Sequence, residues 1–236
     1  MKKHIVCFGD SNTHGYCADP RDCADGGIRF NEYERWPRRL QAALGEEYLV
    51  IEEGLSGRTT CFDDPIHEGL SGLSYIYPCL KSHETVDLLI IMLGTNDTKD
   101  RFYSSAACIG IGMARLVKKA MSTECWGGKK PNILVVCPPA MGKEMPNGIF
   151  GDTMGELCVE KSEQLSRYAS DDSYVKRQKE DIQELTSLFR DMMGSSEQDE
   201  GGEEEYIKEL QSHFAPQPGF KAVYKMQIEG KKKPLI

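Results

Sequence analysis

The run from Val86 to Leu93 (Val-Asp-Leu-Leu-Ile-Ile-Met-Leu) limits the fold more than any other part of the chain. A strand with one wet face alternates apolar and polar side chains. A run this short and nearly all apolar reads instead as a central parallel strand covered on both faces. It stops at Gly94-Thr95-Asn96-Asp97. Three further runs have strand character. His4 to Phe8 reaches Gly9 and then the turn-formers Asp10, Ser11 and Asn12; Tyr48 to Glu52 ends close to Gly54; Asn132 to Cys137 is stopped by Pro138-Pro139.

Helical periodicity fills the intervals. Trp36, Leu40, Ala43 and Leu44 share one face of a helix over Trp36–Leu44, with Gly45 as its stop. Tyr75–Ser82 is a short helix following a Gly- and Ser-rich loop, Gly69–Ser74. Ile109–Met121 places Ile109, Met113, Leu116, Val117 and Ala120 on one side, and Glu156–Tyr168 is the last helix of this part. Strand, loop and helix alternate at βαβ spacing, which predicts an α/β sandwich around a parallel sheet.

Beyond about Ser170 the character changes. Tyr174–Met193 is charged and helical in pattern. Ser195–Glu205 is acidic and contains glycine, and reads as a mobile loop or linker. Ile207–Phe214, a Pro-Gly turn and Lys221–Glu229 follow, the last with either strand or helix character. A basic tail at Lys231-Lys232-Lys233 closes the chain. The expectation is one domain over residues 1–236 with an atypical C-terminal part, 170–236.

Charge and composition remove several function classes. A net charge of -8 argues against non-specific nucleic-acid binding, which needs a basic face. No apolar run approaches the roughly 20 residues of a membrane-spanning helix, and the apolar stretch at the N-terminus is too short for a signal peptide. The nine cysteines are odd in number and several lie in strand-like runs, as free thiols of a reducing cytoplasm would. The five histidines (His4, His14, His67, His83 and His213) lack a zinc spacing such as His-Glu-x-x-His.

In a parallel sheet the reactive loops gather at the carboxyl ends of the strands. Three of those ends here read Gly9-Asp10-Ser11, Gly54-Leu55-Ser56-Gly57 and Gly94-Thr95-Asn96-Asp97. A serine esterase needs a hydroxyl that attacks, a base that takes its proton, and donors that hold the developing oxyanion. Ser11, after a strand and at the start of a helix, offers both a hydroxyl and a backbone N–H. Gly57 offers a second backbone N–H and Asn96 a side-chain N–H, each typically worth roughly 3–4 kcal/mol at a transition state. Each residue also has a plainer reading: Gly-Asp-Ser as a turn, Gly57 as a turn glycine, Asn96-Asp97 as a helix cap.

Three longer segments carry a resemblance. Phe8-Gly9-Asp10-Ser11-Asn12-Thr13, Glu53-Gly54-Leu55-Ser56-Gly57-Arg58-Thr59-Thr60 and Met92-Leu93-Gly94-Thr95-Asn96-Asp97-Thr98-Lys99 resemble the first three blocks of the SGNH (GDSL) hydrolase superfamily, and in particular its arylesterase and acyltransferase branch. The resemblance runs from about Lys3 to Tyr168. It implies a flavodoxin-like three-layer sandwich and Ser11 as nucleophile. It also implies an oxyanion hole from the Ser11 N–H, the Gly57 N–H and the Asn96 side chain, and neither metal nor organic cofactor. The implied substrates are short acyl esters, with transfer of the acyl group to alcohols or peroxide in some members. A homo-oligomer would also be in keeping with that branch.

The family's last block, Asp-x-x-His near the C-terminus, has no counterpart there. The nearest candidate is His213, in Leu210-Gln211-Ser212-His213-Phe214-Ala215-Pro216. Its Phe-x-Pro sequel resembles the family, but Leu210 stands at the position of the acid. The family's fifth strand, which stands just before that block, is hard to locate. Three explanations stand side by side. His213 is the base without the usual carboxylate, or with Glu209 in its place. Alternatively, the C-terminal third is altered, as by a frameshift. Finally, another histidine (His14, His67 or His83) serves. The competing function is a catalytically impaired SGNH-like protein that binds a ligand or partner without turnover. A nucleotide-binding module is a distant third, since neither Gly-x-Gly-x-x-Gly nor a Walker-type loop occurs. Arg58, Asp63 and Asp64 read as a solvated loop. Trp36, Phe62, Tyr75, Tyr77 and Phe102 receive no assignment.

Overall fold

A computed structural model of the chain describes residues 1–171 and 223–225. The sheet is parallel and five-stranded, in the order β2-β1-β3-β4-β5, with β1 at Lys3–Gly9, β2 at Tyr48–Gly54, β3 at Leu88–Met92, β4 at Ile133–Cys137 and β5 at Val223–Lys225. This is the flavodoxin-like order, whose topological switch point falls between β1 and β3.

Side-chain alternation along β1 explains the layering. Val6 and Phe8 face one side, with Leu89 and Ile91 of β3. They pack on Ile76 and Leu80 of α3 (Gly72–Ser82) and on Leu116 and Val117 of α4 (Ala106–Met121). Ile5 and Cys7 face the other side with Ile90 and Met92, against Trp36 and Leu40 of α2 (Trp36–Leu44). Leu88 to Met92 are buried without exception, as a central strand with two covered faces requires. A short helix α5 (Gly151–Met154) precedes α6 (Cys158–Asp171), whose Leu165 joins Ile109 of α4 and Cys137 of β4.

The structure departs from the sequence pattern in three places. α3 starts at Gly72, inside the segment expected to be loop. Its first N–H groups find partners at a distance: Gly72 N donates to Thr59 O at 3.0 Å and Leu73 N to Thr60 O at 2.8 Å. α4 begins at Ala106, because the Ser105 hydroxyl caps it by accepting from Cys108 N at 3.2 Å. Lys221–Glu229, open between strand and helix, contributes the strand Val223–Lys225, which pairs with β4. This fifth strand therefore follows His213 in the chain, whereas the resemblance implied a strand before the histidine block.

His213, Glu209, the acidic stretch 195–205, the charged segment Tyr174–Met193 and the tail all lie outside the described residues. No disulfide joins any two of the nine cysteines. Among the described residues no helix is long and apolar enough to cross a membrane.

Candidate functional site

Strand register brings the three predicted loops together. Gly9 of β1 aligns with Gly54 of β2 and with Met92 of β3. Ser11, Gly57 and Asn96 therefore leave the sheet at the same carboxyl edge, two, three and four residues beyond those positions. Side chains and backbone then stitch the loops to each other. Leu55 N donates to Gly9 O at 3.0 Å. Asn12 Nδ2 donates to Thr95 Oγ1 at 3.3 Å, and Asn96 Nδ2 to Arg58 O at 3.1 Å. Thr60 donates through its N–H and its hydroxyl to Asp97 Oδ1, at 2.8 and 2.5 Å.

Ser11 opens the short helix α1 (Ser11–His14), with Asp10 as its cap. The Asp10 carboxylate accepts from Asn12 N at 2.9 Å and from Asn12 Nδ2 at 3.0 Å, which fixes the turn behind Ser11. α1 lies directly on the end of β2, because Gly54 lacks a Cβ: one built there would stand 2.2 Å from His14 N. Gly57 has φ +90°, a left-handed conformation that side chains seldom adopt. Ser11 and Gly57 are half-buried and Asn96 is buried. Among the described residues, none accepts a hydrogen bond from the Ser11 N–H, the Gly57 N–H or the Ser11 hydroxyl.

Arg58 underlies this arrangement. Its guanidinium donates to Gly9 O at 3.1 Å and to Glu53 O, and lies over the Phe8 ring at 4.2 Å and the Tyr75 ring at 5.2 Å. The solvated loop residue expected from sequence is thus a 3% exposed clamp on the ends of β1 and β2. The sequence holds a weak signal for it, an arginine directly after the turn glycine, but spacing alone does not reveal that it folds inward.

The site's carboxylates are unusual. Asp10 and Asp97 are both fully buried, and desolvation pushes each up to about 6 against its hydrogen-bond donors. Lys99, also buried, is lowered first by desolvation and then by Arg101.

Four of the five histidines are described. The imidazole of His14, the last residue of α1, is lowered by burial and then by Arg29. His83 Nε2 sits 2.7 Å from Glu53 Oε1, beneath α3. His4 stands at the opposite end of β1 from Ser11. His67 belongs to the chain's one Asp-x-x-His spacing, Asp64-Pro65-Ile66-His67, which lies in the loop after β2. The expectation that the chain lacks an Asp-x-x-His block is thereby corrected: the spacing occurs, far from the C-terminus. Asp64 Oδ1 faces His67 Nδ1 at 3.8 Å, the Asp64 side chain fully buried and the His67 ring 62% exposed. Asp64 also accepts from Ile66 N at 2.9 Å and faces Arg101 at 3.8 Å.

The loops themselves gather no set of metal donors among the described residues. A Glu, Cys and His trio occurs instead beneath α3, at Glu53, Cys79 and His83.

The chain matches the GDSL-like lipase/acylhydrolase family model over residues 7–178. Among solved structures, it is similar to Est24, a carbohydrate acetylesterase from Sinorhizobium meliloti, at 38% identity and TM-score 0.62, covering 71% of this chain and 77% of that one. It is also similar to the inhibitor-bound aryl esterase of M. smegmatis, at 40% identity and TM-score 0.62, covering 70% and 77%. No curated protein matches the chain. A family match of this extent, with structural relatives at this identity, makes the chain a member of the GDSL-like lipase/acylhydrolase family, the SGNH hydrolases, and a hydrolase of the esterase kind.

Proposed function

We propose that the protein hydrolyses or transfers short acyl groups through an acyl-enzyme on Ser11. The observation that carries this reading is the set of unengaged groups at one sheet edge: the Ser11 hydroxyl, the Ser11 N–H and the Gly57 N–H, with the Asn96 amide held beside them by Arg58 O. Ser11 attacks the ester carbonyl, and the hydroxyl proton passes to a base. The tetrahedral oxyanion is held by the Ser11 N–H, the Gly57 N–H and the second Asn96 N–H. Collapse expels the alcohol, and water or an acceptor alcohol then attacks the acyl-serine. No cofactor takes part. The base in this reading is His213, supported by the family-like Phe-x-Pro that follows it. Small acetyl or aryl esters are the proposed substrates, since the similar structures are an acetylesterase and an aryl esterase.

A second reading has its own support. Leu210 occupies the place of the acid, which favours an impaired member that binds its ligand without turnover. Hydrolysis of p-nitrophenyl acetate by the wild type and by Ser11→Ala separates the two. An acetyl adduct on the Ser11 peptide, with activity lost in Ser11→Ala, is the expected result. A wild type no faster than Ser11→Ala overturns the esterase reading in favour of the second.

A further inference from the structure

On the α3 side of the second strand-end loop, one group of side chains combines three metal-ligand chemistries. Cys79 lies on the buried side of α3 and His83 is that helix's C-cap residue, four positions on. Side chains at this spacing share one helix face, a turn apart. Glu53 meets them from the edge strand β2, with Oε1 2.7 Å from His83 Nε2. The cysteine sulfur completes a triangle whose donor atoms all lie within 4.8 Å of one another. Cys79 is 1% exposed, while the His83 and Glu53 side chains are 27% and 17% exposed. The sulfur is thus buried, and the two side chains that meet it are partly open to solvent. A histidine–glutamate hydrogen bond needs no thiol beside it.

We propose that Glu53, Cys79 and His83 bind one thiophilic divalent cation of the zinc class, with a water from the open side as fourth ligand. One sulfur, one imidazole nitrogen and one carboxylate oxygen are the donors that zinc accepts in tetrahedral sites. At its bond lengths of about 2.0–2.3 Å, neighbouring donors stand about 3–4 Å apart. The Glu53–His83 pair must therefore open slightly while the sulfur closes in, a movement of partly exposed side chains.

Ionisable groups face the thiol from every neighbouring element: Glu53 from β2, Arg58 from the following loop, Tyr75 from α3 itself and Cys125 from the turn after α4. Burial, then Glu53, pushes the Cys79 thiol up to about 12, and Arg58 offsets part of this. The cation must displace the thiol proton, which leaves to solvent as the metal–sulfur bond forms. Binding accordingly strengthens as pH rises. This site is independent of the role given to Ser11.

The test is cobalt titration of the full-length protein, reduced with a non-chelating phosphine. The expected result is one equivalent of Co²⁺ per chain, with a thiolate-to-cobalt charge-transfer band in the near ultraviolet that Zn²⁺ bleaches. Cys79→Ser removes the band, and His83→Gln and Glu53→Gln weaken Co²⁺ binding about tenfold or more. Cys108→Ser, at an exposed cysteine on α4, leaves it unchanged. Absence of a stoichiometric band in the wild type, or its survival in Cys79→Ser, overturns the proposal. Should Cys79→Ser fail to fold, His83→Gln at the half-exposed helix end decides, and undiminished Co²⁺ affinity there overturns it as well.

Discussion

The Asn96 side-chain amide donates to the carbonyl oxygen of Arg58 across 3.1 Å, between two loops that are 38 residues apart in sequence. One amide hydrogen is spent on holding the loops in register, and in the proposed reaction the other meets the oxyanion. Asn96→Ala therefore removes a tie and a donor together. The expected loss is about 10²–10³-fold in kcat for p-nitrophenyl acetate. Asn96→Asp, which keeps the shape but loses both donors, is expected to be no better.

Ser11→Ala is expected to lower turnover by at least about 10³-fold with the thermal midpoint almost unmoved. Ser11 is only half-buried, and its hydroxyl makes no hydrogen bond among the described residues. Activity assays beside a melting curve check both halves of the statement.

The base is assigned by paired variants. His213→Ala is expected to reduce kcat about 10³-fold or more, and His67→Ala less than about threefold. The converse result, accompanied by loss in Asp64→Asn, moves the base to the Asp64–His67 pair in the loop after β2.

Buried Asp10 governs a pH dependence of stability. Its carboxyl is raised from 3.8 to about 6 by desolvation. Between those values the folded state binds more protons than the unfolded one, so stability falls as pH rises through the window. Asp10→Asn keeps an oxygen acceptor for Asn12 but has no charge to bury. It is expected to be about 1–2 kcal/mol more stable than wild type at pH 8, with the difference vanishing near pH 4. Urea midpoints at both pH values test this, and an equal difference at the two refutes it.

Arg58→Lys tests the clamp. Lysine carries one ammonium where arginine presents a planar fork, and it cannot both reach the Gly9 and Glu53 carbonyls and stack on Phe8. A stability loss of about 2 kcal/mol is expected in chemical denaturation, with a further fall in kcat as the Gly57 loop loosens.

The chain alone settled four of the five strands and the edge that matters. Uniformly apolar runs such as Leu88–Met92 identify strands covered on both faces, and a parallel sheet sends the Ser11, Gly57 and Asn96 loops to one edge by register alone. These are local properties, since hydrophobic period and turn chemistry are written over a few consecutive residues. Tertiary structure alone decided the rest. Arg58 became a buried clamp, and Asp10 and Asp97 became desolvated acids. α3 gained an extra turn because the carbonyls of Thr59 and Thr60 receive its first N–H groups. Cys79 and His83 met Glu53 across a break of some 25 residues. Each of these depends on which groups a distant segment presents and how much water it excludes. Burial and partner choice are set by the packed whole, so no window of consecutive residues records them.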